Sequence, residues 1–134
     1  AAFPRPSRAY PPLPGEMACA LSHRMAWDAF LAGRASALCV LEDDVHCGPA
    51  LGRLLADAAR IGPGLGLLKL DLNARGGARV LAAPDPAGSP LPGHALWRLW
   101  GRRLGGGGYV AHRDVIARLR AGLPGLSAPI DHHL

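Results

Sequence analysis

The segment that most constrains this chain is "ALCVLEDD", an uninterrupted apolar run from Ala37 to Leu41 followed at once by three carboxylates, Glu42, Asp43 and Asp44. Five consecutive apolar residues without alternation predict a short strand covered on both faces, the pattern of parallel sheets. Gly48-Pro49 breaks the chain after the acids. Leu51, Leu54, Leu55 and Ala58 then recur at helical spacing and predict a helix over 50–60, closed by Gly62-Pro63-Gly64. Residues 65–72 alternate, with Leu68, Leu70 and Leu72 on one face and Lys69 and Asp71 on the other, and predict a second strand. Strand, helix, strand is a β-α-β unit, so parallel strands with a right-handed crossover in an α/β fold are expected.

The flanks follow simple chemistry. Pro4, Pro6, Pro11, Pro12 and Pro14 remove backbone donors, so residues 1–14 are expected to be a linker or extended arm, with the domain running from 15 to 134. From Glu16 to about Ala32 the chain has good helix formers and no proline, and Gly33 ends the run. Apolar residues cover most of that helix's circumference, which predicts packing on two sides. Glu16, Cys19 and His23 share one of its faces. Residues 73–93 read as a long loop with a brief strand near 79–82, residues 95–100 and 109–111 as strands, and residues 113–121 as a helix. Trp97, Trp100 and Tyr109 read as core residues or as flat stacking platforms for a ligand.

Composition narrows the class. Apolar residues make up 49% of the 134 and charged residues 19%, which excludes a disordered chain. The net charge of +5 comes almost entirely from arginine, since Lys69 is the only lysine. Such a balance favours anionic partners, and a GC-rich coding bias produces it equally well. The arginines are scattered and aromatics are 5%, which speaks against a nucleic-acid-binding module. Cys19, Cys39 and Cys47 are odd in number and form no C-x-x-C, so neither a disulfide framework nor a zinc knuckle is indicated, and a reducing cytoplasmic location is the expectation. No apolar run is long enough to span a bilayer. The four glycines at 105–108 lack the Gly-Lys-Ser/Thr ending of a P-loop, so an ATPase is not expected. The chain starts without methionine and is expected to be a fragment.

Ligands of open α/β sheets bind at the carboxyl ends of strands, where Glu42, Asp43 and Asp44 stand. Crowded carboxylates repel each other and lose hydration, and a hard divalent cation such as Mn²⁺ or Mg²⁺ removes that cost by bridging them to a nucleotide diphosphate. A solvated strand end, or pairing with arginines, explains an acidic triplet as well.

"GEMACALSH" at 15–23, one helix, then "ALCVLEDDV" at 37–45 resembles glycosyltransferase family 25, which includes lipooligosaccharide galactosyltransferases. The matching positions are Gly15, Glu16, Cys19, Ser22, His23, Glu42, Asp43 and Asp44. "LLKLDL" at 67–72, "GGGGYVAHRDVIARL" at 105–119 and "PIDHHL" at 129–134 resemble later blocks in family order, with His112 standing where the family has serine. The resemblance implies a GT-A-like, Rossmann-related fold truncated at both ends, and an inverting transfer of a hexose, galactose foremost, from a UDP-sugar to a lipooligosaccharide or lipopolysaccharide acceptor. It implies Mn²⁺ (or Mg²⁺) on Asp44 and Glu42, with Glu42 and Asp43 also positioning the donor. Gly107 and Gly108 would let backbone approach the sugar or phosphate, and Glu16, Ser22 and His23 would touch substrate or brace the metal from behind. Asp131 is the first candidate for the base that takes the acceptor's proton, and Asp71 the second. A cytoplasmic enzyme, or one resting at the cytoplasmic face of the inner membrane, follows from the same resemblance, as does the competing reading of a non-catalytic truncated remnant.

Overall fold

The computed structural model describes residues 13–58, 66–71, 81–84, 95–100 and 105–123, with residues 130 and 134. Helix α1 (Pro14–Ala32) leads into strand β1 (Ala37–Leu41) and helix α2 (Leu51–Ala58). Strand β2 (Leu67–Lys69), strands β3 (Leu81–Pro84) and β4 (Trp97–Trp100), strand β5 (Gly108–His112) and helix α3 (Arg113–Gly122) follow.

The expected parallel pairing of the first two strands is overturned. The principal sheet has the order β1-β5-β2, and β5 is antiparallel to both neighbours. β1 and β2 therefore run in the same direction, as a β-α-β unit requires, but they do not touch: β5 is inserted between them. The described sheet is an antiparallel three-stranded one in a mixed α/β arrangement. The reason is residue chemistry. Gly108, Val110 and Ala111 are small enough for a central strand, and Gly108, Tyr109, Val110 and Ala111 are all buried, whereas β1 stays half-exposed. The second strand is also shorter than expected, ending at Lys69, although the Leu70 N–H still donates to the Gly108 carbonyl at 2.9 Å. β3 and β4 form a separate two-stranded ribbon, pairing Leu81 with Trp100 and Pro84 with Trp97.

The core lies between the sheet and the pair α1 and α3. Trp27, Tyr109 and Ile116 are wholly buried, with Ala20, Ala111, Leu119 and Leu123 around them and Leu38, Val40 and Leu67 packed on from the neighbouring strands. Each large side chain so buried contributes roughly 1.5–3 kcal/mol. By contrast Trp97 and Trp100 are exposed, which corrects the expectation that they are core. They lie on the ribbon, whose side chains at 97, 98 and 100 all face outward. Among the described residues one side of α1 is covered: Ala20, His23 and Trp27 are buried, while Met17, Leu21 and Met25 are exposed, in contrast to the expected packing on two sides.

The ends of the helices are held by side chains. Pro14 occupies the first helical position, where a missing N–H is harmless. Glu16 Oε2 accepts the Leu13 N–H at 2.7 Å, half of a capping box. At the other end Gly33 is in extended backbone (φ −84°), so it does not form the left-handed turn expected of a C-cap glycine. Arg113 does that work instead. Its guanidinium donates to the carbonyls of Leu31, Phe30 and Gly33 at 2.9, 2.9 and 2.7 Å, and its Nε donates to Ala35 at 3.0 Å. The same group sits over the Phe30 ring, 4.7 Å from its centroid. His112, at the N-cap of α3, makes no cap hydrogen bond; its Nδ1 meets Asp114 Oδ1 at 2.5 Å. Arg120 in the last turn of α3 reaches back to Asp28 of α1 at 2.7 Å. None of the three cysteines forms a disulfide.

Candidate functional site

Two groups of polar side chains converge where β1 and β2 end and β5 begins. The first is built by helical periodicity: Cys19, His23 and Trp27 are four residues apart and so lie along one face of α1, turned toward Tyr109 of β5. Trp27 Nε1 donates to Tyr109 Oη at 2.8 Å, and Tyr109 Oη lies 2.9 Å from His23 Nδ1. Indole only donates, so Tyr109 Oη accepts from Trp27; toward His23 it donates to Nδ1 in the tautomer that carries the imidazole N–H on Nε2, and accepts from Nδ1 in the other. His23 Nε2 faces Glu42 Oε1 at 3.4 Å, and Cys19 Sγ lies 3.4 Å from the same oxygen. The His23 ring stacks on Tyr109 with centroids 5.7 Å apart and meets Trp27 edge-on. Burial pushes the Tyr109 phenol well above its ordinary range, against the opposing effect of the Trp27 donor, so it stays neutral.

The second group is a cavity of about 590 Å³, within the range of small-ligand sites. Leu41, Leu68, Leu70 and Gly108 form its floor, Leu51 and Leu54 of α2 one wall, and Asp71, His46 and Gly107 its polar end. Asp71 Oδ1 is buried and has no hydrogen-bond partner. A buried acceptor left unpaired costs about 1–3 kcal/mol, which marks it for a donor that arrives with a ligand.

Gly107 joins the two groups. Continuing the registers Leu41↔Gly108 and Lys69↔Tyr109 by one and two steps places Gly107 between Glu42 and Asp71. The Glu42 N–H donates to the Gly107 carbonyl at 2.8 Å. A Cβ on Gly107 would stand 3.0 Å from Val45 Cγ1 and 3.6 Å from Asp71 Oδ2, and one on Gly106 would stand 3.4 Å from Glu42 Oε1. These glycines let the two carboxylate-bearing strand ends approach. Lys69 ties down the loop before them by donating to the Gly105 carbonyl, and Gly105 has a φ of 108°, open only to glycine.

Set against the sequence-based candidates, Glu42 and His23 meet, and Asp71, Gly107 and Gly108 line one cavity. Asp43 and Asp44 occupy the exposed turn after β1. Glu16 does not join His23, since its carboxylate is spent on the helix N-terminus. The exposed Ser22 hydroxyl donates to the Ala18 carbonyl at 3.0 Å. Asp131 lies outside the described residues; Ile130 beside it is buried near Gly106. Sequence reasoning missed the Trp27–Tyr109–His23 chain. The i, i+4, i+8 recurrence of Cys19, His23 and Trp27 was the available signal, but nothing local tied it to a tyrosine 82 residues on.

The sequence model of the family described as Glycosyltransferase family 25 (LPS biosynthesis protein) matches residues 13–68, a partial domain running from the start of α1 into β2. The matched span carries Glu16, Cys19, Ser22, His23 and the acids at 42–44, which are the positions on which the resemblance rests. Over that span the chain is similar to glycosyltransferases of lipopolysaccharide biosynthesis. No curated protein matches the chain. Among the described residues no helix is long and apolar enough to cross a membrane.

Proposed function

We propose that this chain is part of a family 25 glycosyltransferase that moves a hexose, galactose foremost, from a UDP-sugar to a lipooligosaccharide or lipopolysaccharide acceptor, with inversion. The observation that carries the reading is the cavity at the ends of β1 and β2, with the unpartnered Asp71 Oδ1 at its polar end and Glu42 across Gly107. The family match to residues 13–68 supports the same class.

In this reading the donor's nucleoside lies on the apolar floor made by Leu41, Leu68 and Leu70, and its diphosphate lies toward the glycines and acids. The donor set suits a hard divalent cation, Mn²⁺ or Mg²⁺: Cys19 and His23 engage Glu42 through Oε1 alone, so Oε2, with the exposed Asp44, is assigned to the cation, and Asp43 to the donor. When bound, that cation supplies charge neutralisation to the departing diphosphate. The backbone at Gly107 and Gly108 allows close approach of the sugar. Inversion needs an acceptor hydroxyl in line with the anomeric carbon and a carboxylate to take its proton. We assign that base to Asp71, whose Oδ1 is an acceptor without a donor, with Asp131 as the alternative. A cytoplasmic setting, where nucleotide sugars are consumed, agrees with three cysteines outside any disulfide.

Isothermal titration of the chain with UDP-galactose, UDP-glucose and GDP-mannose in the presence of Mn²⁺ tests the reading. Binding of uridine donors in preference to the guanosine donor is expected. A folded chain that binds none of the three contradicts it.

A further inference from the structure

Cys19, His23 and Glu42 present one sulfur, one nitrogen and one oxygen within 4.8 Å of one another. The geometry points to a zinc site on these three side chains, separate from the hard-cation site proposed for the donor. The inference stands apart from the glycosyltransferase reading, and shares with it only the Glu42 carboxylate, through its other oxygen.

Four observations carry it. The first is distance. A charge-assisted N–H···O⁻ contact is about 2.7–2.9 Å long, yet His23 Nε2 stands 3.4 Å from Glu42 Oε1, while the 3.4 Å from Cys19 Sγ to the same oxygen suits an S–H···O contact and a ligand edge alike. Around a tetrahedral zinc with metal–ligand lengths of about 2.0–2.3 Å, the N···O and S···O edges are about 3.4 and 3.6 Å. Second, Cys19 and His23 are one helical turn apart on one face of α1, so a single helix presents two of the three ligands side by side. Third, His23 is buried and held at its other nitrogen by Tyr109 at 2.9 Å, itself fixed by Trp27, which is the outer-shell support that orients a ligating imidazole. Fourth, the charges close: a thiolate, a carboxylate and a neutral imidazole balance a dication. The mixture of soft, borderline and hard donors suits Zn²⁺ better than Mg²⁺ or Mn²⁺. Glu42 is part-exposed, which leaves the fourth position to water.

The protons balance simply. Binding releases the Cys19 thiol proton to solvent. His23 would ligate through Nε2 as the neutral tautomer with its one hydrogen on Nδ1, donating to Tyr109 Oη, so the ring itself neither gains nor loses a proton.

Titration of the chain with Co²⁺ under anaerobic, reducing conditions tests the site, because thiolate bound to cobalt absorbs in the near ultraviolet and a tetrahedral site absorbs strongly in the visible. Both bands should saturate at about one equivalent and be displaced by Zn²⁺. Cys19→Ser should abolish the thiolate band, whereas the double variant Cys39→Ser, Cys47→Ser should retain it. Tyr109→Phe should keep the band and weaken affinity by about 10- to 100-fold. Absence of the thiolate band in the folded chain, or its survival in Cys19→Ser, overturns the site. The two readings fail separately: Asp44→Ala should remove Mn²⁺ binding in the presence of UDP and leave the cobalt spectrum in place.

Discussion

Glu42 and Asp71 stand on opposite sides of Gly107, one at the end of β1 and the other just past β2. The Glu42 N–H donates to the Gly107 carbonyl at 2.8 Å, while Asp71 Oδ2 lies 3.6 Å from where a Cβ on that glycine would be. Two acids 29 positions apart in the chain are thus set around a residue with no side chain, at the mouth of a cavity. β5 achieves this by inserting between the strands that carry them.

Because the space at Gly107 is limited by Val45 at 3.0 Å, Gly107→Ala must push the Val45 side chain aside and sets a methyl against Asp71. A destabilisation of about 1–3 kcal/mol is expected, with weaker nucleotide binding. Urea denaturation and calorimetry with UDP-galactose measure the two effects. Gly52, with nothing near its Cβ position, is the control: Gly52→Ala lies within α2 and should stabilise by about 1 kcal/mol or less.

Asp71 keeps a buried oxygen without a partner, so it strains the ligand-free fold. Asp71→Asn is expected to leave the thermal midpoint unchanged or raise it, while transfer to an acceptor is lost. A stabilised but inactive variant is the signature of a group held for function. Differential scanning calorimetry beside a transfer assay checks it, and a large fall in stability would instead make Asp71 structural.

Tyr109 Oη serves both Trp27 and His23 inside the core. Tyr109→Phe leaves two buried groups unpaired, and a loss of about 2–6 kcal/mol is expected from roughly 1–3 kcal/mol for each. Urea denaturation followed by tryptophan fluorescence reads it.

Arg113 closes the C-terminal end of α1 through four carbonyls. Lysine keeps the charge but not the planar fork, so Arg113→Lys should cost about 1.5–3 kcal/mol. Hydrogen exchange should show the loss as fraying of the last turn of α1.

The Arg120 guanidinium beside Asp28 holds its carboxyl below the ordinary carboxylate range. A lowered folded-state value means the Asp28 contribution is present above the unfolded carboxylate's range near pH 4 and is lost as pH falls through the lower folded value. Asp28 is about half exposed and Arg120 part-exposed, so the effect is small and screened by salt. Asp28→Asn should slightly flatten the acid limb of the stability curve at low salt and leave stability near pH 2 unchanged, as acid denaturation midpoints would record.

The elements that local patterning specifies were legible in the sequence. The proline-free run ending before Gly33 became α1, the apolar run at 37–41 became β1 with the same limits, and helical spacing of leucines marked α2. Pairing was not legible, because the partner of both early strands is a segment some forty residues beyond β2 whose glycines look like a loop. Gly33 misled for a related reason: the end of α1 is held by Arg113, far along the chain, and the glycine adopts extended backbone. Of the acidic triplet, only Glu42 turns toward His23, while Asp43 and Asp44 are exposed in the turn after β1, a division that three adjacent carboxylates do not announce. The tyrosine that orders His23 could be found only once β5 was seen to be central.

Electron paramagnetic resonance of Mn²⁺ titrated into the chain, with and without UDP, for the wild type and for Asp44→Ala, addresses the donor site itself. Binding that tightens with UDP and disappears in a folded Asp44→Ala variant is the expected result. No binding by the folded wild type with UDP present, or binding that Asp44→Ala leaves untouched, would contradict a donor-diphosphate site at these acids.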